Sequence, residues 1–170
     1  MSSSILWSNF FEQSEQEGIL DILKRVPIFE GLIKKDLKAI ERILHRRTYN
    51  EHEYIFRSGD TGVGMYIIER GLVGIVADKT ERQISLLSDG EFFGEMALLN
   101  EEPRQVHAVA RKETTLYGFF QPDLHSLLET KPRLGVSVVM KLSKVIGTRL
   151  QLAINENQRL YDRIAELTAE

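Results

Sequence analysis

The sequence predicts a mainly β domain, a small antiparallel sandwich or barrel, flanked by helices. Three observations carry this. Beyond Asn50 the apolar period changes from about three and a half residues to two, and short β-rich runs follow at 54–57, 65–69, 72–77, 83–87, 106–110 and 115–120. They are separated by Ser58-Gly59-Asp60, Arg70-Gly71, Asp78-Lys79 and Ser88-Asp89-Gly90, all with turn chemistry. The chain of 170 residues, 42% hydrophobic, can bury one core with appendages. The expected division is a helical extension over 1–25, the β domain over 26–130 and a long helix over 131–170.

Ahead of the strands, a serine cluster precedes Ile5, Leu6, Trp7, Phe10 and Phe11. Helical spacing joins Leu6 and Phe10, which predicts a short helix capped by Ser3 or Ser4. Its apolar face packs either on the domain's own flank or on a partner. Gly18 interrupts, and Ile19, Leu20, Ile22 and Leu23 carry a second helix to Val26-Pro27, where the proline favours an extended residue before it. Over 33–47 the apolar positions Ile33, Leu37, Ile40, Ile43 and Leu44 fall three or four apart, which predicts an amphipathic helix. Its basic end, His45-Arg46-Arg47, would suit the negative pole of the helix dipole.

Residues 90–104 have the order of an anion cradle. Gly90 and Gly94 stand four apart; then come the carboxylate of Glu95, an apolar run Met96-Ala97-Leu98-Leu99 too short for an ordinary helix, and Pro103 just before Arg104. A glycine lets the backbone approach a ligand, and one helical turn after it would point free N–H donors outward. The planar guanidinium of Arg104 can hold two oxygens of one phosphate in a fixed fork. Glu95 beside a phosphate would cost energy unless it accepts hydrogen bonds, which sugar hydroxyls would supply.

After the strands, 122–129 reads as a short helix and Thr130-Lys131-Pro132 as the start of a long one. In it Ile146, Ala153, Leu160 and Leu167 fall seven apart, and Leu150, Asn157 and Ile164 interleave at three-four spacing. This is a heptad with Asn157 at an a position, where a lone asparagine fixes a parallel two-stranded register. A parallel homodimer through these seven residues is expected, although Gly147 weakens the helix. The alternative is a helix lying on its own domain.

The run Phe93-Gly94-Glu95-Met96-Ala97-Leu98-Leu99 followed by Pro103-Arg104 resembles the phosphate-binding cassette of cyclic nucleotide-binding domains. The likeness extends over roughly 26–150, through Val26-Pro27-Ile28-Phe29-Glu30-Gly31-Leu32, Gly59-Asp60, Met65-Tyr66-Ile67-Ile68, Gly71 and Gly90 at family-like spacing. It implies a double-stranded β-helix, or jelly roll, of about eight strands with a short helix in the cassette. It also implies a cyclic nucleotide as the ligand. Arg104 would pair with the cyclic phosphate and Glu95 with the ribose 2′-hydroxyl. Backbone N–H groups near Gly94, Met96, Ala97 and Gln105 would complete the cradle, with Phe93 and Val106 flanking it.

The long helix resembles the one that closes over the base in this family, aligning through Lys141-Leu142-Ser143 and Thr148-Arg149-Leu150-Gln151. That alignment places Arg149, Ala153 and Ile154 at the base. An apolar cap would stack on a purine without reading its edge, so base selectivity should be modest. The chain departs from the family at Gln105 and Val106, where small residues usually follow the arginine. Alternation puts Arg104, Val106, Ala108 and Ala110 on the inward side and Gln105 on the other, so Val106 adds bulk beside the phosphate. The threonine or serine associated with guanine preference is missing, which favours cyclic AMP over cyclic GMP.

The expected function is therefore a cyclic-nucleotide sensor that signals to a downstream protein through its C-terminal helix. The alternative is an interaction module with a vestigial pocket, in which Glu95 and Arg104 simply pair with each other. An enzyme is not expected: His45, His52, His107 and His125 are scattered without metal-ligand spacing, and the two-histidine strand motif of cupin-like metal enzymes is missing. No helix-turn-helix pattern offers direct DNA recognition, and a net charge of -3 argues against a nucleic-acid or anionic-membrane surface. No apolar run is long enough to span a bilayer. The lack of cysteine is compatible with the cytoplasm, the expected location.

Overall fold

The computed structural model describes residues 18–168; the helix expected around Leu6 and Phe10 lies outside them. Helices α1 (Ile19–Arg25) and α2 (Lys34–Glu41) precede strands β1 (His45–Tyr49), β2 (Tyr54–Phe56), β3 (Gly64–Arg70), β4 (Leu72–Ala77) and β5 (Gln83–Ser88). Strand β6 (Phe92–Phe93), a 3-10 turn (Glu95–Leu98), β7 (Val106–Ala110), β8 (Thr114–Phe120), α3 (Gln121–Thr130) and α4 (Pro132–Thr168) complete the order. Two antiparallel four-stranded sheets run β1-β8-β3-β6 and β2-β7-β4-β5. This is the eight-stranded jelly roll that the resemblance implies. Among the described residues, no helix is long and apolar enough to cross a membrane.

The first sheet is apolar on both faces, and β3 shows why its sequence reads as an unbroken apolar run. Met65 and Ile67 point to one core, Tyr66 and Ile68 to another, because successive strand residues face opposite ways. Strand β8 does the same, with Phe119 on the first side and Leu116 on the second. The second core lies between the sheets. The first fastens the helices to the outer face of the sheet, joining Ile22 and Leu23 of α1, Leu37 and Ile40 of α2, Leu127 of α3, and Leu134, Val138 and Leu142 of α4.

One expected element is corrected. The helix predicted over 33–47 stops at Glu41, and His45-Arg46-Arg47 belongs to β1, paired antiparallel with β8 from His45 opposite Gly118 to Tyr49 opposite Thr114. Ile43 and Leu44, which extended the helical pattern, pack on the first core from the connecting turn instead. Arg46 finds its partner across the sheet, Glu69 at 2.8 Å, and His45 lies 3.2 Å from Asp123 in the first turn of α3. Strand β6, also unforeseen, is two residues long and pairs with Tyr66 and Ile67 of β3.

Helix α3 begins where the Phe120 N–H donates to Asp123 Oδ2 at 2.9 Å, a first-turn carboxylate cap. Proline opens α4, where its missing N–H costs nothing. Through residue 146 this helix leans on the first core, with Val139, Val145 and Ile146 half-buried. From Gly147 onward every described residue is exposed. Six of the seven residues expected at a dimer interface therefore project into solvent, while Ile146 is partly taken up by its own domain.

Candidate functional site

A cavity of about 460 Å³ opens between the second sheet, the cassette and α4. Its wall includes all eight residues expected to hold a ligand: Phe93, Gly94, Glu95, Met96, Ala97, Arg104, Gln105 and Val106. Phe56, Ile75, Ser85, Leu87, Phe92, Asn100, Glu102 and Pro103 also line it. Ile75, Ser85 and Leu87 come from β4 and β5, so strand pairing, with no local motif to mark them, brings them to the cassette.

The cassette is shaped by Gly94, which sits at φ 77, ψ 14 in the left-handed region. A side chain here would strain the backbone and also strike the site, since a Cβ would lie 2.7 Å from Arg104 Nη1. The Gly94→Ala variant should lose about 1–2 kcal/mol of stability from the backbone. It should also shift the guanidinium; denaturant unfolding measures the first effect and ligand titration the second. Beyond Gly94 the chain makes one 3-10 turn whose first bond runs from the Ala97 N–H to the Gly94 carbonyl at 3.2 Å. The N–H groups of Glu95 and Met96 precede that bond and have no acceptor within the turn. Ala97 and Leu98 are buried and anchor it, whereas Met96 faces outward.

Arg104 is held at both ends. Its backbone is clamped by the loop after β2: the Gly59 N–H donates to the Arg104 carbonyl and the Arg104 N–H to the Asp60 carbonyl, both at 2.8 Å. The Ser58 hydroxyl donates to the same Arg104 carbonyl at 3.3 Å. His107 steadies the loop in turn, accepting the Ser58 N–H at Nδ1 over 3.0 Å, with Nε2 3.1 Å from Asp78 Oδ1. At the other end Nη2 donates to the Gly64 carbonyl at 2.6 Å and Nη1 to the Gly94 carbonyl at 3.1 Å. Cζ lies 4.2 Å above the Phe56 ring, and Nε is buried without a partner.

The guanidinium thus rests on two neutral carbonyls and an aromatic face, and forms no ion pair with any described carboxylate. Burial pushes its pKa down from the usual arginine range, while the nearby Tyr66, Glu95 and Asp60 act in the opposite direction. Burial likewise pushes the Tyr66 phenol up, against the pull of Arg104. Gly64, whose carbonyl anchors Arg104, was not foreseen. Its one sequence signal is a glycine opening a strand, which marks close backbone approach; a Cβ there would lie 2.7 Å from Phe120 Cα.

Glu95 is buried, only 4% exposed. Its Oε2 lies 2.6 Å from Nη1 of Arg149, whose Nη2 donates to the Phe92 carbonyl at 3.3 Å and whose Cζ sits 4.7 Å over the Phe92 ring. Glu95 and Arg104, whose mutual pairing the vestigial-pocket reading required, do not pair. Of the three residues expected to cap a base, Arg149 lines the cavity; Ala153 and Ile154 are exposed farther along α4 and do not. Val106 is half-buried on the inter-sheet core, and Gln105, expected to face away, is exposed at the cavity rim.

The family described as cyclic nucleotide-binding domain matches residues 46–131. The chain is 33% identical over 134 residues to the cyclic AMP receptor protein of Thermus thermophilus, covering 77% of this chain and 60% of that protein. It is 32% identical over 97 residues to the cGMP-dependent protein kinase egl-4 of Caenorhabditis briggsae, covering 55% of this chain and 13% of the kinase. It is 41% identical over 81 residues to the alpha subunit of the rod photoreceptor cyclic nucleotide-gated channel of Gallus gallus, 48% of this chain and 13% of the channel subunit. The crystal structure of the Thermus thermophilus catabolite activator protein superposes with a TM-score of 0.70 at 32% identity, over 79% of this chain and 62% of that one. A cyclic nucleotide-binding domain from Methylobacillus flagellatus superposes with a TM-score of 0.72 at 21% identity, over 87% and 82% of the two chains, a likeness of fold. The chain spans three fifths or less of the curated relatives named here.

Proposed function

Because the chain belongs to the cyclic nucleotide-binding domain family, we propose that it is a sensor that binds a cyclic nucleotide, cyclic AMP in preference to cyclic GMP, and reports occupancy through its C-terminal helix. The observation that carries this reading is Arg104: a half-buried cation inside a cavity, clamped by neutral groups, with an unpartnered Nε and no ion pair to a described carboxylate. Burying a cation in this way is costly without an anion. A cyclic phosphate between the guanidinium and the N–H groups of Glu95 and Met96 would supply one. The ribose hydroxyls would then lie toward Glu95, and the base toward Ile75, Leu87 and Arg149.

The route to the helix is the Glu95–Arg149 pair. A ribose hydroxyl donating to Glu95 competes with Arg149 for one carboxylate, so occupancy changes what holds α4 against the cassette. The shift can be no larger than the difference in ligand affinity between the two arrangements. The preference for cyclic AMP rests on Gln105 and Val106, neither of which offers a hydroxyl after Arg104. Calorimetric titration of the chain with cyclic AMP and cyclic GMP tests the proposal. Saturable binding with cyclic AMP the tighter ligand is expected, and no heat from either at high concentration leaves the interaction-module reading.

We also propose a parallel homodimer through Leu150, Ala153, Asn157, Leu160, Ile164 and Leu167. The exposed apolar stripe supports it, with Leu160 at 52%, Ile164 at 56% and Leu167 at 62% exposure. The variant carrying Leu160→Asp and Ile164→Asp should sediment as a monomer at concentrations where the parent is dimeric. Unchanged association in that variant would remove the coiled coil.

A further inference from the structure

A second recess lies on α2. Lys34, Lys35, Lys38 and Ala39 of that helix, with Arg42 just past its end and Lys131 at the turn between α3 and α4, line a cavity of about 480 Å³ that shares no residue with the first. All five cations are exposed, and no carboxylate among the described residues lines the recess. None of the five is in an ion pair or side-chain hydrogen bond within the described residues. Asp21 of α1, whose carboxyl is drawn below its ordinary range first by Lys24 and more weakly by Lys34, is bonded to Lys24 at 2.6 Å.

Part of this arrangement works against the helix that carries it. Lys34 and Lys35 occupy the first turn of α2, where the helix dipole disfavours cations, and Lys34–Lys38 and Lys38–Arg42 are like charges four apart, although Asp36 in the first turn and Lys38 and Arg42 toward the C-terminal end suit the dipole. The chain as a whole carries a net charge of -3, so the cluster does not follow from general basicity. Five exposed cations gathered on one recess, with no ion pair to balance them among the described residues, suit an anionic partner.

We propose that this recess binds an anion bearing clustered phosphate groups, either a soluble polyphosphate ester or a phosphorylated lipid headgroup. Four of the five cations are lysines, compact point charges that meet phosphate oxygens from any direction. The charges converge on one concavity from two separate segments rather than tracking along a strip. A compact ligand with several phosphates neutralises them together.

The test is calorimetric titration of inorganic tripolyphosphate into the chain, into the Lys35→Glu/Lys38→Glu double variant, and into Arg104→Ala. The last removes phosphate captured by the first cavity, so the outcome does not depend on the nucleotide reading. Saturable binding is expected, unchanged in Arg104→Ala, weakened by salt, and reduced at least about tenfold in the double variant. Circular dichroism and cyclic AMP titration should show the double variant folded and its first cavity unaffected. Co-sedimentation with phosphatidylcholine vesicles carrying a bisphosphorylated phosphatidylinositol assigns the source. Vesicle binding competed by tripolyphosphate identifies a headgroup, and tripolyphosphate binding without vesicle binding identifies a soluble ester. No saturable tripolyphosphate binding, equal binding by the double variant, or tighter binding of poly-glutamate would overturn the proposal, the last in favour of an acidic protein partner.

Discussion

Arg104→Ala is expected to abolish cyclic-nucleotide binding while leaving the fold intact. Its guanidinium is the cation the cavity is built around, held by the Gly64 and Gly94 carbonyls and the Phe56 face. Without it a phosphate entering the cavity would be partly buried and unpaired, a loss of roughly 3 kcal/mol or more, or over about a hundredfold in affinity. Arg104→Lys should recover only part of this, since an ammonium cannot reach both carbonyls and a phosphate in the planar fork. Stability should fall little, because the alanine relieves a desolvated charge even as it removes two hydrogen bonds. Calorimetry and denaturant unfolding on the same preparations separate these effects. Retained affinity in a folded Arg104→Ala protein would remove the proposed ligand mode.

Phe119→Ala is expected to produce the largest loss of stability, about 3–5 kcal/mol. Phe119 is fully buried, meets Phe29 edge-on at 6.0 Å between ring centroids, and belongs to the core that ties α1, α3 and α4 to the first sheet. That is a large share of the roughly 5–15 kcal/mol available to a domain and corresponds to a fall of about 6–20 °C in Tm. Phe92 and Leu98 of the cassette share this core with Leu134, Val138 and Leu142 of α4. The cavity wall at Phe92 and the part of α4 packed on this core should therefore loosen together. Saturating cyclic AMP should restore part of the lost Tm by mass action if the cavity binds it. Thermal unfolding with and without ligand measures both; a drop below about 1 kcal/mol would mean that the core re-forms around the gap.

The sequence was most legible where the physics is local. Short β-rich runs bounded by turn residues located six of the eight strands to within a residue or so, because strand and turn preferences act within a few residues without reference to the partner strand. Gly94, Glu95 and Arg104 stood out because a left-handed backbone, a carboxylate and a proline-locked arginine are unusual as neighbours. Strand β1 was lost because Ile43 and Leu44 continue a helical spacing by coincidence. Only the ladder to β8 reveals that the following basic residues are extended. Strand β6 was lost because two residues are too few to show a period. The basic recess was invisible because Lys131 lies far along the chain from α2, and its charge is submerged in an acidic total.

By itself the sequence determined the class of fold, the cassette and the heptad, since each rests on spacings of a few residues that the backbone converts directly into faces and turns. Tertiary structure alone decided that Glu95 pairs with Arg149 rather than Arg104, that Gly64 supplies an anchor, and that Ile146 belongs partly to its own core. The reason is that a carboxylate chooses its partner by distance and desolvation, and those are set by how α4 lies across the cassette, which no local pattern encodes.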